Sequence, residues 1–200
     1  MTGRRALVLA GKGMLAGVAE ELVRHGWHVV LPCRRYHPLA LPDPNPGRAA
    51  LRALRPRGHR PDGGDHREPG RAIWVESRWD RPRELAAKAE PALGGPADLL
   101  VAWVHEQYRR AVLGAVETLL APSAPVVEVR PAAGLPAEPE PVLAAHPTQL
   151  VLVGSVSEHG GNRPLPHAEL TSGVLEGMRR AVEGHAPSLH QVGQSRPMVR

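Results

Sequence analysis

Short apolar runs closed by glycine, proline or charge alternate along this chain with longer stretches whose apolar positions recur every three or four residues. Ala6-Leu7-Val8-Leu9-Ala10 stops at Gly11 and has the unbroken apolar character of a strand covered on both faces. After a turn from Gly11 to Gly17, Val18, Leu22 and Val23 fall at helical spacing, and Gly26 ends that helix. Trp27 to Leu31 forms the next strand, completing a strand, turn, helix, strand unit of the length a parallel crossover needs. Ala72–Val75, Leu99–Val104, Val126–Val129 and Leu150–Val156 read as four further strands. Helices are expected over Pro82–Leu93, Glu106–Leu120 and Ala168–Val182.

Six strands alternating with helices, and no hairpin dipeptide between them, predict an α/β fold: a doubly wound parallel sheet with helices on both faces. Residues 1–183 read as one domain. Residues 36–71 are rich in proline, glycine and arginine and are expected to be partly loop, with a short helix over Arg48–Leu54 and a polar segment over Gly58–Gly70. From 184 to 200 no period is visible, which suggests a tail, either disordered or crossing to a partner subunit.

Composition removes several classes. No apolar run reaches the ~20 residues of a membrane span, and Gly11, Lys12 and Gly13 cut the first run below the length of an export signal, so a cytoplasmic protein is expected. Cys33 is the single cysteine, which excludes an internal disulfide and a multi-thiolate metal site. The 11 histidines are dispersed without metal-binding spacing, so no metal is expected. A net charge of +5 and a pI near 10.3 would suit a nucleic-acid partner. However, the arginines are scattered among acids and prolines and few aromatic rings exist to stack bases, so none is expected.

Gly11-Lys12-Gly13-Met14-Leu15-Ala16 follows the first strand and opens the first helix, in the form of the G-x-G-x-x-G/A dinucleotide fingerprint. Gly11 permits the tight turn, Gly13 lets backbone amides approach a pyrophosphate, and Ala16 lets the helix lie close to the sheet. The anion would meet a helix N-terminus, whose dipole favours negative charge. A purely structural turn is the alternative reading. At the end of the second strand, where an NAD enzyme usually carries an acid, stand Cys33, Arg34 and Arg35. A guanidinium there suits a 2′-phosphate, so NADP(H) is the expected cofactor; a solvated basic pair is the bland alternative. Arg34 is also placed to lower the pKa of Cys33.

With these motifs, with Asp98 to His105 around the fourth strand and with Glu169 to Val174 in the last helix, the chain resembles the short-chain dehydrogenase/reductase superfamily, most closely its small atypical bacterial members. The resemblance implies a Rossmann-like fold, with a nicotinamide cofactor lying across the C-terminal strand ends. The chain lacks the family's Tyr/Lys pair at four-residue spacing: Tyr36 and Tyr108 are followed four positions on by Ala40 and Val112. Ala102-Trp103-Val104-His105 replaces the family's segment after the fourth strand, Arg130 or Pro131 replaces its serine after the fifth, and Ser77-Arg78-Trp79 follows the third.

Candidate cofactor-binding residues are therefore Gly11, Lys12, Gly13, Met14, Leu15, Arg34, Arg35 and Trp103. Candidate proton donors are His105 and Tyr108, with Glu106 beside them, because a histidine at that edge titrates near neutrality. His159 to Arg163 are expected to form a substrate loop. The function these residues suggest is an NADPH-dependent oxidoreductase transferring hydride to a small carbonyl or imine. The alternative is a non-catalytic NADP-binding module, serving as a redox sensor or partner subunit. A homo-oligomer paired through Glu106–Leu120 is expected, because Val112, Leu113, Val116 and Leu120 offer more apolar surface than one sheet face must cover.

Overall fold

The computed structural model describes residues 3–10, 13–35, 39, 70–135, 139–157 and 163–194. Gly11, Lys12, Tyr36, the expected helix over Arg48–Leu54, the expected polar segment from Gly58 up to residue 69, His159 to Asn162 and residues 195–200 lie outside the described residues.

Among the described residues seven parallel strands form one sheet in the order β3-β2-β1-β4-β5-β6-β7. They are β1 (Arg5–Ala10), β2 (His28–Cys33), β3 (Arg71–Glu76), β4 (Leu99–Trp103), β5 (Val126–Pro131), β6 (Thr148–Val153) and β7 (Ser188–Val192). The helices are α1 (Ala16–Arg24), α2 (Pro82–Leu93), α3 (Glu106–Val116) and α4 (His167–Val182). β1 and β4 lie at the centre and are apolar on both faces: Leu7, Leu9, Leu100 and Ala102 meet α2 and α3, while Ala6, Val8, Leu99 and Val101 face α1 and α4. α2 and α4 end where the sequence predicts, whereas α3 stops at Val116, short of the expected Leu120, and a 3-10 turn over Glu117–Leu119 follows it. Gly94 takes a left-handed φ of 66° to close α2, a conformation that costs a residue without Cβ nothing.

β7 corrects the expectation of a tail from 184. Ser-Leu-His-Gln-Val is half polar because the strand lies on the sheet edge, with Leu189 47% exposed, and so it lacks the apolar signature of the inner strands. The rationale for pairing through α3 also fails. Val112, Leu113 and Val116 are fully buried, and Leu120 nearly so, within the α2/α3 core of this one chain.

Two connections set the surroundings of the site. β5 runs to β6 through a loop in which no helix occurs among the described residues, and Val142 and Leu143 pack there onto the α2/α3 core. α4 then crosses from β6 to β7 on the α1 side, although β3-α2-β4 and β4-α3-β5 advance the same way across the sheet on the opposite side. This last crossover therefore has the hand opposite to theirs, which is rare among parallel units. As a result α1 and α4 lie side by side.

Candidate functional site

β1 and β4 are neighbours whose following chains leave for opposite faces of the sheet. The edge beyond them is the switch point at which ligands bind in open α/β sheets. The turn after β1 delivers Gly13 with φ 71°, a left-handed conformation that favours glycine, and the Gly13 carbonyl accepts from Ala16 N at 3.0 Å to start α1. No acidic residue stands in the first turn of α1, so nothing there opposes an anion. Leu15 is buried and anchors the turn, whereas Met14 is half-buried.

Gly13, Leu15 and Ala16 form one wall of a cavity of about 140 Å³. The strand ends supply the others: Val8 and Ala10 from β1, Leu31 and Cys33 from β2, and Ala72 and Trp74 from β3, with Leu39 closing it. Trp103 ends β4 in register with Ala10, half-buried against the same core. Arg34 and Arg35 follow Cys33 directly and are exposed. The turn and the slot thus bring together Gly13, Leu15 and the chain leading to Arg34. Met14 and Trp103 stand beside them without lining the cavity.

The next residue after Ala16 makes a close contact of its own, between helices. On Gly17 a Cβ would stand 2.9 Å from Thr171 Cγ2 of α4.

Cys33 is held between two partners. Trp74 Nε1 donates to its sulfur at 3.0 Å, and the thiol donates to the Arg35 carbonyl at 3.1 Å. Burial pushes the thiol pKa up, against the smaller opposite pull of these hydrogen bonds. This is the reverse of the lowering expected from Arg34, and it makes Cys33 a poor nucleophile.

The two candidate proton donors lie on the α2/α3 side of the edge, across the strand ends from the cavity. His105 is the exposed N-cap of α3, with its carbonyl accepting from Tyr108 N at 2.9 Å. The His105 and Tyr108 rings are 6.4 Å apart, and Tyr108 is 6.4 Å from Trp79, which follows β3. Three rings therefore line the rim in a row.

The sequence reading missed two charged groups at this edge. Glu128 and Arg130 of β5 lie under Arg109 of α3, all three buried, with exposed Glu106 above them. Burial, and next the like charge of Arg130, lower the Arg109 pKa, and Glu128 opposes both. Two signals were available: Glu128 and Arg130 alternate with valines in a strand covered on both faces, and Arg109 shares the buried helical stripe of Val112, Leu113 and Val116. The second group joins Ser157, after β6, to Glu169 of α4: Ser157 Oγ donates to Glu169 Oε2 at 2.7 Å, and Arg163 Nη2 reaches Oε1 at 2.6 Å. It ties the start of α4 to the chain on either side of residues 158–162.

No protein-family model matches the chain, and no curated protein is similar to it in sequence. Solved structures share its fold. A short-chain dehydrogenase/reductase of Serratia marcescens, in a doubly mutated form, is 14% identical with a TM-score of 0.54, over 98% of this chain and 99% of that one. A short-chain alcohol dehydrogenase named from Burkholderia multivorans is 14% identical with a TM-score of 0.55, over 96% and 100%. An NADH-dependent reductase complexed with NAD is 14% identical with a TM-score of 0.52, over 96% and 95%. The chain has the short-chain dehydrogenase/reductase fold, a Rossmann-like parallel α/β sheet. Among the described residues no helix is long and apolar enough to cross a membrane.

Proposed function

We propose that the protein is an NADPH-dependent oxidoreductase of the cytoplasm that reduces a small carbonyl or imine. The observation that carries this reading is the cavity bounded by the Gly13 turn and the ends of β1, β2 and β3, with two exposed arginines and no acid immediately after β2. Its apolar walls fit the adenosine end of a dinucleotide. Ser77 Oγ, one residue beyond β3 and buried with no partner among the described residues, is a free polar group close to those strand ends. Gly13 would leave room for the pyrophosphate, and Arg34, with Arg35, would pair with a 2′-phosphate. Gly11 and Lys12 belong to the same turn by sequence.

When bound, the dinucleotide supplies the hydride. His105 and Tyr108 are the proton donors this chain offers in place of a Tyr/Lys pair. An iminium substrate would arrive already protonated and would need neither. The missing pair equally supports the second reading, a non-catalytic NADP-binding module. Because the apolar face of α3 is already covered, a homo-oligomer would have to use another surface.

Calorimetric titration with NADPH and NADH tests the cofactor assignment. Arg34→Ala is expected to weaken NADPH by about 1–3 kcal/mol and to leave NADH almost unchanged. Equal losses, or no saturable binding of either, would refute it. Cofactor oxidation across a panel of ketones and cyclic imines then separates enzyme from module, with His105→Ala expected to slow any ketone reduction.

A further inference from the structure

β5 carries two charges into the interior. The side chains of Glu128 and Arg130 are 2% and 11% exposed, and Arg109, packed over them from α3, is 2% exposed. Two guanidiniums are thus buried with one carboxylate, while the second carboxylate, Glu106, is 67% exposed on the first turn of α3. Buried charges are normally paired and fully hydrogen-bonded.

Arg130 falls well short of that. A guanidinium has five N–H donors, and among the described residues Arg130 makes one hydrogen bond, from Nη1 to the Glu140 carbonyl at 3.3 Å. Its Nη2 is 3.6 Å from Glu106 Oε2 and its Nε is 3.8 Å from Glu128 Oε1, and Nε has no hydrogen-bond partner among the described residues. Arg109 is better served. Its Nη2 donates to the Val104 carbonyl at 3.1 Å, Nη1 contacts Glu106 Oε2, and Nε lies 3.5 Å from Glu128 Oε1. Glu128 Oε2 is occupied by Val142 N at 3.2 Å.

We propose that Arg130 is the receiving group for a carboxylate carried by the substrate, and that the Glu106 carboxylate occupies that position until the substrate displaces it. This rests on the oxidoreductase reading. Arg130 stands next to last in β5, at the edge where the reacting groups would meet, on the same side of the sheet as His105 and Tyr108. Guanidinium and carboxylate match as a planar, two-pronged pair. Glu106 is free to swing into water because it sits on an exposed helix start, whereas Glu128 is fixed beneath and keeps one positive charge compensated. Arg109 is a positioning residue: it stays on the Val104 carbonyl and repels Arg130 towards the rim. The substrate class is therefore a carbonyl or imine compound bearing an acid group.

The test is titration of the full chain, saturated with NADP+, with pyruvate, acetone and inorganic phosphate, read by calorimetry. Pyruvate is expected to bind saturably and acetone not. Arg130→Met should weaken pyruvate at least ~10-fold with NADP+ affinity unchanged, and Glu106→Gln should tighten it severalfold by removing the competitor. Pyruvate binding no tighter than acetone, unaltered binding in Arg130→Met, or weaker binding in Glu106→Gln would overturn the proposal. Phosphate bound more tightly than pyruvate would overturn the carboxylate assignment. The Glu106→Gln arm decides the matter if Arg130→Met fails to fold. Loss of NADP+ binding in the wild type would sink the dinucleotide reading alone, and pyruvate is then titrated into the free chain with the same outcomes.

Discussion

Gly17 of α1 rests directly against Thr171 of α4, with room for no side-chain carbon between them. The first and last helices of the fold are thereby locked together beside the switch point. Alanine normally gains up to about 1 kcal/mol over glycine inside a helix. Gly17→Ala is expected to gain less than this, because the Thr171 methyl must move. In the background of Thr171→Ala the same change should recover the full gain. A double-mutant cycle by urea denaturation measures the coupling; strictly additive effects would show that the contact carries no strain.

Cys33 should be a slow thiol. Burial holds its pKa above the ordinary thiol value, so at pH 8 its thiolate fraction is smaller than that of a free cysteine. Iodoacetamide is expected to modify it more slowly than glutathione, with a midpoint shifted to higher pH. Trp74→Phe removes the indole N–H that favours the thiolate and should move the midpoint higher still.

His190 makes β7 sensitive to acid. Burial first, and then the nearby Arg180 charge, lower its pKa, with Glu176 pulling the other way. Its Nε2 donates to Gln149 Oε1 at 2.8 Å, and the Ser188 hydroxyl shares that acceptor. The unfolded chain therefore takes up a proton that the folded chain resists. Stability is expected to fall as pH drops below the unfolded value of 6.5 towards the lower folded value, and to level off beneath it. Urea midpoints at pH 7.5 and 5.5 check this, and His190→Gln should flatten the slope across that window.

Removing the buried carboxylate beneath the two arginines should be costly. Glu128→Gln leaves Arg109 and Arg130 confined together without their shared counter-charge, and a loss of about 3 kcal/mol is expected from denaturation. A change below ~1 kcal/mol would mean that water or Glu106 compensates them.

Much of the architecture was legible because local signals agreed. Unbroken apolar runs marked β1 and β4, and the helical stripes of α1 and α2 were clear. The glycine turn after β1 was legible, although the tight turn was assigned to Gly11 and the left-handed φ stands at Gly13. What escaped depended on distant neighbours. β7 looked like a tail because an edge strand alternates polar and apolar residues. Val112, Leu113 and Val116 looked like an interface because periodicity reports an apolar face without naming what covers it. The pairing of Arg109 with Glu128 joins a helix to a strand that no spacing rule connects, and the contact of Gly17 with Thr171 arises only because α4 crosses on the unexpected face.

That crossing has a consequence for biosynthesis. A nascent chain makes the glycine turn long before α4, whose Thr171 packs on Gly17 just past that turn, and β7 follows α4. During most of synthesis α1 lacks the neighbour that packs on Gly17. On the proposed function, nucleotide capture is thus expected to await α4, and ribosome-stalled chains ending before His167 should emerge without it.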